Sequence, residues 1–573
     1  MNKLFKMAVF GFGFYTFFFW GCTRSDDLVL PDSNPMPKLP SVEPVATVDM
    51  GNPDDYPLIK MDFPIWPGPF EPSWDGISRS YPQEIDWLRE AKFGFWVHFG
   101  PQAAGMSGDW YARRIYEPGY KAHENHIKKY GHPSEAGYKE VLRDWNPTKL
   151  DPAAYTELFH NAGARYLFIL GVHHDNFDLW NSKYQPWNSV NIGPKRDLIG
   201  EWSDAIKKHH MHYGITFHHE YTWWWWQSAF NYDAQLAYES SKGKWWENYD
   251  LKLLYGIDLR EYKGMEEFIW APEKGIFGRH QEYAKWYATQ WALRMQDAIE
   301  KYDPDFIYTD GNSDQPFSGF NSGAGVKSDA AQRVIASYYN RSVKKHGDID
   351  VFSIVKFHPA GRKGIVTTFE NEFPQDIKTD QMWIGEVPVG DWFYGENFVY
   401  SATSVIRYLL ECVSRDGNCA VNIPIRPDGS MDDDCVKMLK EIGEWMNING
   451  KGIYGSRAWY LFGESASEEI TTLPRGKKLG KVQEEVPFKT SDFRFTTGKD
   501  GSVYAYCMNV PKVNEILTIK SFIPGKGEIK TVELLGSNTL IRWRQDAEGL
   551  HIAFPDKTDY KIAVCFKINM NQQ

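Results

Sequence analysis

The chain has 573 residues, 42% hydrophobic and 24% charged, with a formal net charge of −11 at pH 7. This is the make-up of a globular protein with two to four domains, which excludes a disordered chain. The acidic balance, with no dense Lys/Arg run, excludes a nucleic-acid backbone as ligand. Aromatic residues reach 16%, which suits either a large core or stacking on sugar rings, and composition alone does not separate the two.

Lys3 and Lys6 precede an apolar run at 7–21 that suits the core of a signal peptide and is too short to span a bilayer. The run ends at Gly21-Cys22, which reads as a lipoprotein cleavage site with Cys22 as the lipidated residue, although Phe19 stands where leucine is usual. Asp26 and Asp27 follow closely and resemble a surface-export signal. The expectation is an exported chain, held at the outer membrane by its lipid anchor alone, on the cell-surface or periplasmic side. Plain secretion with an incidental cysteine is the alternative. Residues 22–80, dense in proline, read as a tether whose later, Trp-bearing part packs on the fold.

From residue 81 to 455 short apolar runs alternate with amphipathic stretches. The runs are 93–100, 165–174, 212–219, 305–311, 350–357, 364–373, 382–389 and 418–425. Helical spacing marks 281–302, 400–413 and 433–447. Eight strands separated by helices predict an α/β fold, a (β/α)8-like barrel catalytic domain. Residues 456–573 carry short alternating runs between Gly, Asp and Lys turns and predict a small antiparallel β-sandwich. Cys412, Cys419, Cys435, Cys507 and Cys565 have no paired spacing and read as buried small hydrophobes. No C-x-x-C or H-E-x-x-H pattern occurs, so neither a metal nor any other cofactor is expected.

His98, His173, His174, His218, His219, Asp310, Glu370 and Glu386 all fall at or near the C-terminal ends of the eight runs. In a barrel every βα loop opens on that face, so the pattern places one polar site there. Asp310 closes the run Phe-Ile-Tyr-Thr-Asp-Gly; the following Gly311 would leave room for a ligand, although Asp-Gly after a strand is more often a simple turn. Glu370 closes a second run. Two carboxylates meeting at one rim are what glycosidic bond hydrolysis needs, one attacking the anomeric carbon and one protonating the leaving oxygen. Neutral imidazoles suit hydroxyls, being donor and acceptor at once. Strand alternation lets only one of His173 and His174 face the centre, unless the strand has ended and the loop bends the other back.

Most of residues 84–460 resembles the GH29 α-L-fucosidase family, with a weaker likeness in the terminal sandwich. The likeness rests on WLREAKFGFWVHFGP, GDWYARRIY, GVHHDNFDLWNS, GPKRDLIGEW, YDPDFIYTDG and SRDGNCAVNIPIRPDGSM. It implies a retaining, exo-acting hydrolase of terminal α-L-fucosides on glycans, with Asp310 as nucleophile. It also implies sugar contacts from His98, Asp109, Trp110, His173, His174 and His218, with Tyr308 two residues before the nucleophile where an aromatic is usual. The acid/base is placed variably in this family; TTFENEFP maps it to Glu370, with Glu386 and Glu372 as alternatives. Asp109 stands where the family has Glu, and Lys356 where it commonly has Arg, a point charge in place of a planar fork. Trp223–Trp226 replace a Tyr/Ser-rich stretch and read equally as a platform for the leaving glycan or as a packing anchor. These departures leave an α-L-galactosidase or a non-catalytic surface glycan-binding protein as rival readings. Oligomeric state is not legible.

Overall fold

Along β1 (Phe93–Val97) the residues facing the barrel axis are Gly94, Trp96 and His98, because strand side chains alternate between faces. The same period runs through β2 (Tyr166–Val172), β3 (His212–Phe217), β4 (Phe306–Thr309), β5 (Phe352–Val355), β6 (Thr367–Glu370), β7 (Trp383–Pro388) and β8 (Asn418–Asn422). In this computed structural model the protein is described over residues 28–38, 58–237, 241–258, 281–311, 316–319, 326–356, 363–464, 488–556 and 559–571. The apolar run at 7–21, Cys22 and most of the stretch up to residue 57 lie outside the described residues.

All eight expected strands form, each within its sequence run. They pair in parallel in the order β5-β4-β3-β2-β1-β8-β7-β6. Between β5 and β6 a parallel bridge at Ser353 and Ile365 is supported by Val366 N–H donating to Ser353 O at 3.0 Å, so the barrel is nearly closed. The expected helices appear as Gln281–Tyr302, Ala402–Ser414 and Asp433–Asn449.

The barrel interior is layered by residue size. At the N-terminal end, Tyr166, Phe306 and Phe352 fill the axis, Phe306 and Phe352 stacking at 4.8 Å. Gly94 and Gly214 make this layer possible: a Cβ on Gly94 would lie 2.5 Å from the Tyr166 ring, and one on Gly214 would lie 2.1 Å from Phe306. Trp87 closes the layer from below, stacked on His212 at 3.9 Å. Above it, Trp96 stacks on Phe168 at 4.2 Å and meets Tyr308 edge-on at 5.0 Å. This aromatic layer is a dry floor, and the next residues up each strand are the polar ones.

The Pro-rich stretch contributes more to the fold than a tether would. Met61, Phe63, Phe70, Trp74 and Ile77 are buried in the same core as the barrel, and Trp66 Nε1 donates to Glu300 Oε1 at 2.7 Å. Even at residue 34 the chain is docked: Trp286 Nε1 donates to Asn34 O, and Asn34 Nδ2 donates to Gln290 Oε1, both at 3.0 Å. Proline forbids regular hydrogen-bonded structure, but it leaves aromatic side chains free to pack.

After the barrel come β9 (Arg457–Glu464), β10 (Phe493–Thr497), β11 (Val503–Cys507), β12 (Ile516–Ile519), β13 (Ile529–Leu534), β14 (Arg542–Asp546), β15 (Gly549–Ala553) and β16 (Val564–Met570). They form two antiparallel sheets, β13-β16-β11-β10-β9 and β12-β15-β14, around a second hydrophobic core. The five cysteines past the N-terminal region are free and buried.

Glu411, on helix Ala402–Ser414, joins the two parts. It accepts from Arg494 of β10 through Nε and Nη2, both at 2.7 Å, and from Arg415 Nη1. All three side chains are buried. Burial would push the Glu411 carboxyl up, but the two guanidiniums outweigh it and hold it below the usual range. Glu411→Ala strips both buried cations of their partner and is expected to destabilise the protein by about 3–5 kcal/mol. Glu71→Ala, which breaks an exposed pair with Arg79, should shift stability by less than about 1 kcal/mol. Urea denaturation of the full chain checks both; equal, small shifts would remove Glu411 as the joint.

Candidate active site

The C-terminal rim of the barrel encloses a cavity of about 280 Å³, at the small end of the ~300–1,000 Å³ usual for small-molecule sites. His98, Asp109, Trp110, His173, His174, His218, Tyr308, Asp310, Lys356 and Glu370 all line it. Trp96, Arg114, Tyr221 and Trp392 complete the wall. The strand period carries His218, Asp310 and Lys356 past the ends of β3, β4 and β5, on the interior face that Thr216, Tyr308 and Ile354 occupy one step below.

Three charges meet at one side. Lys356 Nζ lies 3.5 Å from Asp310 Oδ2 and 2.9 Å from Glu370 Oε2. Asp310 Oδ2 also accepts from His218 Nδ1 at 3.0 Å, whereas Oδ1 has no hydrogen-bond partner among the described residues. Burial alone would raise the Asp310 carboxyl, but the Lys356 ammonium and His218 overcome it and hold the acid far below the usual carboxylate range. Lys356 is correspondingly raised by Asp310 and Glu370 against the effect of its burial. Glu370 Oε1 accepts from Trp392 Nε1 at 2.8 Å. Trp392 is fixed in turn by Asn422, whose Nδ2 donates to Trp392 O at 2.8 Å while its Oδ1 accepts from His98 N at 3.1 Å.

Burial favours the neutral form of all four histidines: it pushes His98 and His173 well down and His174 to about 3, and it lowers His218 against the opposing effect of Asp310. Ala112 N–H on Gln102 Oε1 (3.3 Å) orients that amide so that its Nε2 donates to His173 Nδ1 at 2.6 Å. The His173 proton therefore sits on Nε2, 3.8 Å from Asp109 Oδ1. His174 Nδ1–H donates to His218 O at 2.5 Å, leaving Nε2 as an acceptor. Both His98 ring nitrogens are buried without a partner among the described residues. Such a set of unpaired buried donors and acceptors is what a polyhydroxy ligand would satisfy.

Both His173 and His174 reach the cavity. The β2–β3 register shifts between Leu170 and Val172 and β2 ends at Val172, so alternation no longer separates the pair. His219 turns away into the core, its Nε2 3.4 Å from Trp291 O. Of the acid/base alternatives, Glu372 is not at the cavity: β6 ends at Glu370, and Asn371 takes a left-handed φ of 57° that redirects the chain. Glu386 lies level with Glu370 in register but is fully buried outside the cavity lining, accepting from Tyr308 OH at 3.2 Å. Gly311 makes room for something other than a ligand. A Cβ there would lie 2.4 Å from the Glu220 carboxyl, a buried acid pushed up to about 8 by burial and by Asp310.

Trp225 and Trp226 are completely buried and act as anchors, Trp225 edge-on to Trp110 at 6.1 Å and Trp226 against Tyr255 at 4.7 Å. A platform role is thereby excluded for these two; the side chains of Trp223 and Trp224 lie outside the described set. Ligand atoms of His98, Asp109 and His173 lie within 4.8 Å of one another, the arrangement at the cavity closest to a cation site. The proton on His173 Nε2 presents a donor there, which suits a hydroxyl better than a metal ion.

Residues 60–451 match the family model for α-L-fucosidase, and residues 487–569 match that for the α-L-fucosidase C-terminal domain. The chain belongs to the α-L-fucosidase family. It is thus a glycoside hydrolase. The rat tissue α-L-fucosidase is 24% identical over 499 residues, covering 85% of this chain and 89% of its own; the human enzyme is likewise 24% identical, covering 85% and 88%. The fold is shared with the Thermotoga maritima α-fucosidase (TM-score 0.61, 20% identity, 87% of this chain and 100% of the other). It is shared too with a Bacteroides thetaiotaomicron α-L-fucosidase (TM-score 0.55, 17% identity, 85% and 96%).

The Glu386 carboxyl has a consequence for stability. Burial raises it from 4.5 to about 8, with Lys356 opposing. Between those values the folded protein keeps a proton that the unfolded chain has lost, so stability falls as pH rises through the window, by up to about 1.4 kcal/mol per pH unit. Glu386→Gln removes this contribution. Denaturation midpoints at pH 5 and pH 8 should drop less in the variant than in the wild type; an equal drop would mean that Glu386 does not titrate in this range.

Proposed function

We propose that this pocket hydrolyses terminal α-L-fucosides with retention, Asp310 acting as nucleophile and Glu370 as acid/base. The observation that carries the reading is the pair of carboxylates bridged by Lys356. Because both approach one Nζ, at 3.5 and 2.9 Å, their facing oxygens are at most these two distances laid end to end, about 6.4 Å apart. Retaining enzymes hold their carboxyls ~5–5.5 Å apart and inverting ones ~6.5–9.5 Å. The Bacteroides thetaiotaomicron relative was trapped as a covalent intermediate with 2-fluoro-fucosyl fluoride, in keeping with a two-step route.

Asp310 Oδ1, ionised and unpaired, attacks the anomeric carbon as the glycosidic C–O bond breaks. The leaving oxygen takes its proton from the Glu370 acid. The Glu370 carboxylate then removes a proton from water, whose oxygen attacks the same carbon and frees Asp310. Glu370 supports the acid/base role better than Glu386, because Glu370 lines the cavity and Glu386 lies outside its lining. The neutral histidines are suited to the ring hydroxyls. The aromatic wall of Trp96, Tyr308 and Trp392 suits an apolar edge, such as the methyl group that distinguishes L-fucose from L-galactose.

Asp310→Asn should lower turnover of an aryl α-L-fucoside on the order of 10⁴-fold or more with the fold intact. Glu370→Ala should largely spare aryl fucosides with good leaving groups, and azide should rescue it as the α-L-fucosyl azide. Should Glu386→Ala behave that way instead, the acid/base role moves to Glu386. Wild-type turnover of aryl α-L-fucoside should exceed that of the α-L-galactoside by about 10–200-fold; the reverse order would make the protein an α-L-galactosidase.

A further inference from the structure

Arg113 and Arg114 are adjacent in sequence and differ in what they meet. Arg113 is buried, with Nε donating to Glu117 at 2.8 Å and Nη1 donating to Trp225 O, so its charge is committed within the fold. Arg114 lines the cavity and is only partly buried. Among the described residues its one hydrogen bond is Nη1 to the backbone carbonyl of Asp109 at 3.0 Å, and no carboxylate lies within ion-pair distance of it.

The guanidinium lies over two aromatic faces, Trp110 at 5.9 Å and Tyr120 at 5.2 Å. Tyr120 is 48% exposed, so this ledge runs from the cavity lining out to solvent. Among the described residues its Nε and Nη2 donors are unused. Two parallel N–H groups in one plane match the two oxygens of a carboxylate or sulfate. Asp109 does not cancel the charge: burial and Asp391 raise its carboxyl well above the ordinary value against the pull of Arg114, which favours its neutral form.

We infer that Arg114, with Tyr120, forms a subsite for an anionic substituent, carboxylate or sulfate, on the sugar that carries the fucosyl group. This rests on the fucosidase reading and extends it to the leaving-group side. Arg114 lines the cavity and Tyr120 beside it is exposed, so on this reading the fucosyl ring occupies the cavity and the next sugar crosses the ledge. A fixed cation there favours an acidic glycan in spite of the protein's net negative charge, because the contact is local and the net charge is screened beyond ~10 Å.

The test compares kcat/KM for three substrates on the full chain. These are an α-L-fucosyl-galactose disaccharide, the same disaccharide sulfated on galactose, and its galacturonic acid counterpart. The wild type should prefer one or both acidic substrates to the neutral one by about tenfold or more, and the preference should shrink in high salt. Arg114→Gln should abolish it, a fall of roughly 10–100-fold in the acidic-to-neutral ratio, the worth of one charge-assisted contact. Arg114→Lys should keep part of it. Each ratio is read within one protein preparation, so partial misfolding does not mimic the result. Which acidic substrate gains tells sulfate from carboxylate. Equal rates on all three substrates, or a ratio unchanged in Arg114→Gln, would overturn the inference; failure to hydrolyse any of the three would instead overturn the fucosidase reading.

Discussion

A carboxylate buried as deeply as Asp310 ionises only if something nearby carries the opposite charge. In this protein that group is the Lys356 ammonium, placed between Asp310 and Glu370. It sets the protonation of the nucleophile, since burial alone would make Asp310 a weak acid and thus a neutral, unreactive one. It also holds the two acids within one sugar ring's reach of each other. Lysine does this as a point charge on a flexible stem, whereas arginine would fix a plane. The orientation that lysine does not impose comes from elsewhere: His218 holds Asp310 Oδ2, and Trp392 holds Glu370 Oε1.

The electrostatics work only because the floor is dry. Trp96, Phe168 and Tyr308 seal the axis directly beneath the charged layer, and their packing needs Gly94 and Gly214 one layer further down. The same dryness makes the histidines neutral and leaves both His98 nitrogens unpaired. Unpaired buried polar atoms destabilise a fold, and here they gather at one rim, where a ligand with many hydroxyls would satisfy them. Stability is built at the N-terminal end of the barrel and given up at the C-terminal end, along the same strands.

Much of this was legible in the residue order. Strand alternation and the repeated return of polar residues at run ends located all eight strands and the rim, because a two-residue period is a local property. The residues that were missed act through contacts distant in sequence. Trp392 and Tyr221 sit on loops and Arg114 ends a four-residue helix, where no period tells which side chain turns inward. Gln102 and Asn422 orient histidine and tryptophan from other elements, and nothing in their own neighbourhoods announces it. Gly311 was misread for a related reason: a glycine after a strand signals close approach, but the sequence does not say of what, and the neighbour is Glu220. The packing of the Trp-bearing part of the Pro-rich stretch is expected from its aromatic residues, and Trp66, Phe70 and Trp74 are buried. The docking of Asn34 on Trp286 and Gln290 is not, because proline density reports missing backbone hydrogen bonds and says nothing of distant side-chain partners.

The boundary between floor and site runs through Glu386. It occupies the register position of Glu370 on the neighbouring strand, yet it is fully buried and paired with Tyr308 instead of lining the cavity. Position on a strand and even registration with a cavity residue therefore do not make a carboxylate catalytic; access does. The two glutamates differ in what can reach them. One accepts a hydrogen bond from a tryptophan in the cavity wall, and the other is held as a neutral acid by the dry layer that makes the first one useful. Chemistry and stability thus use the same residue type on adjacent strands, and access to the cavity decides which is which.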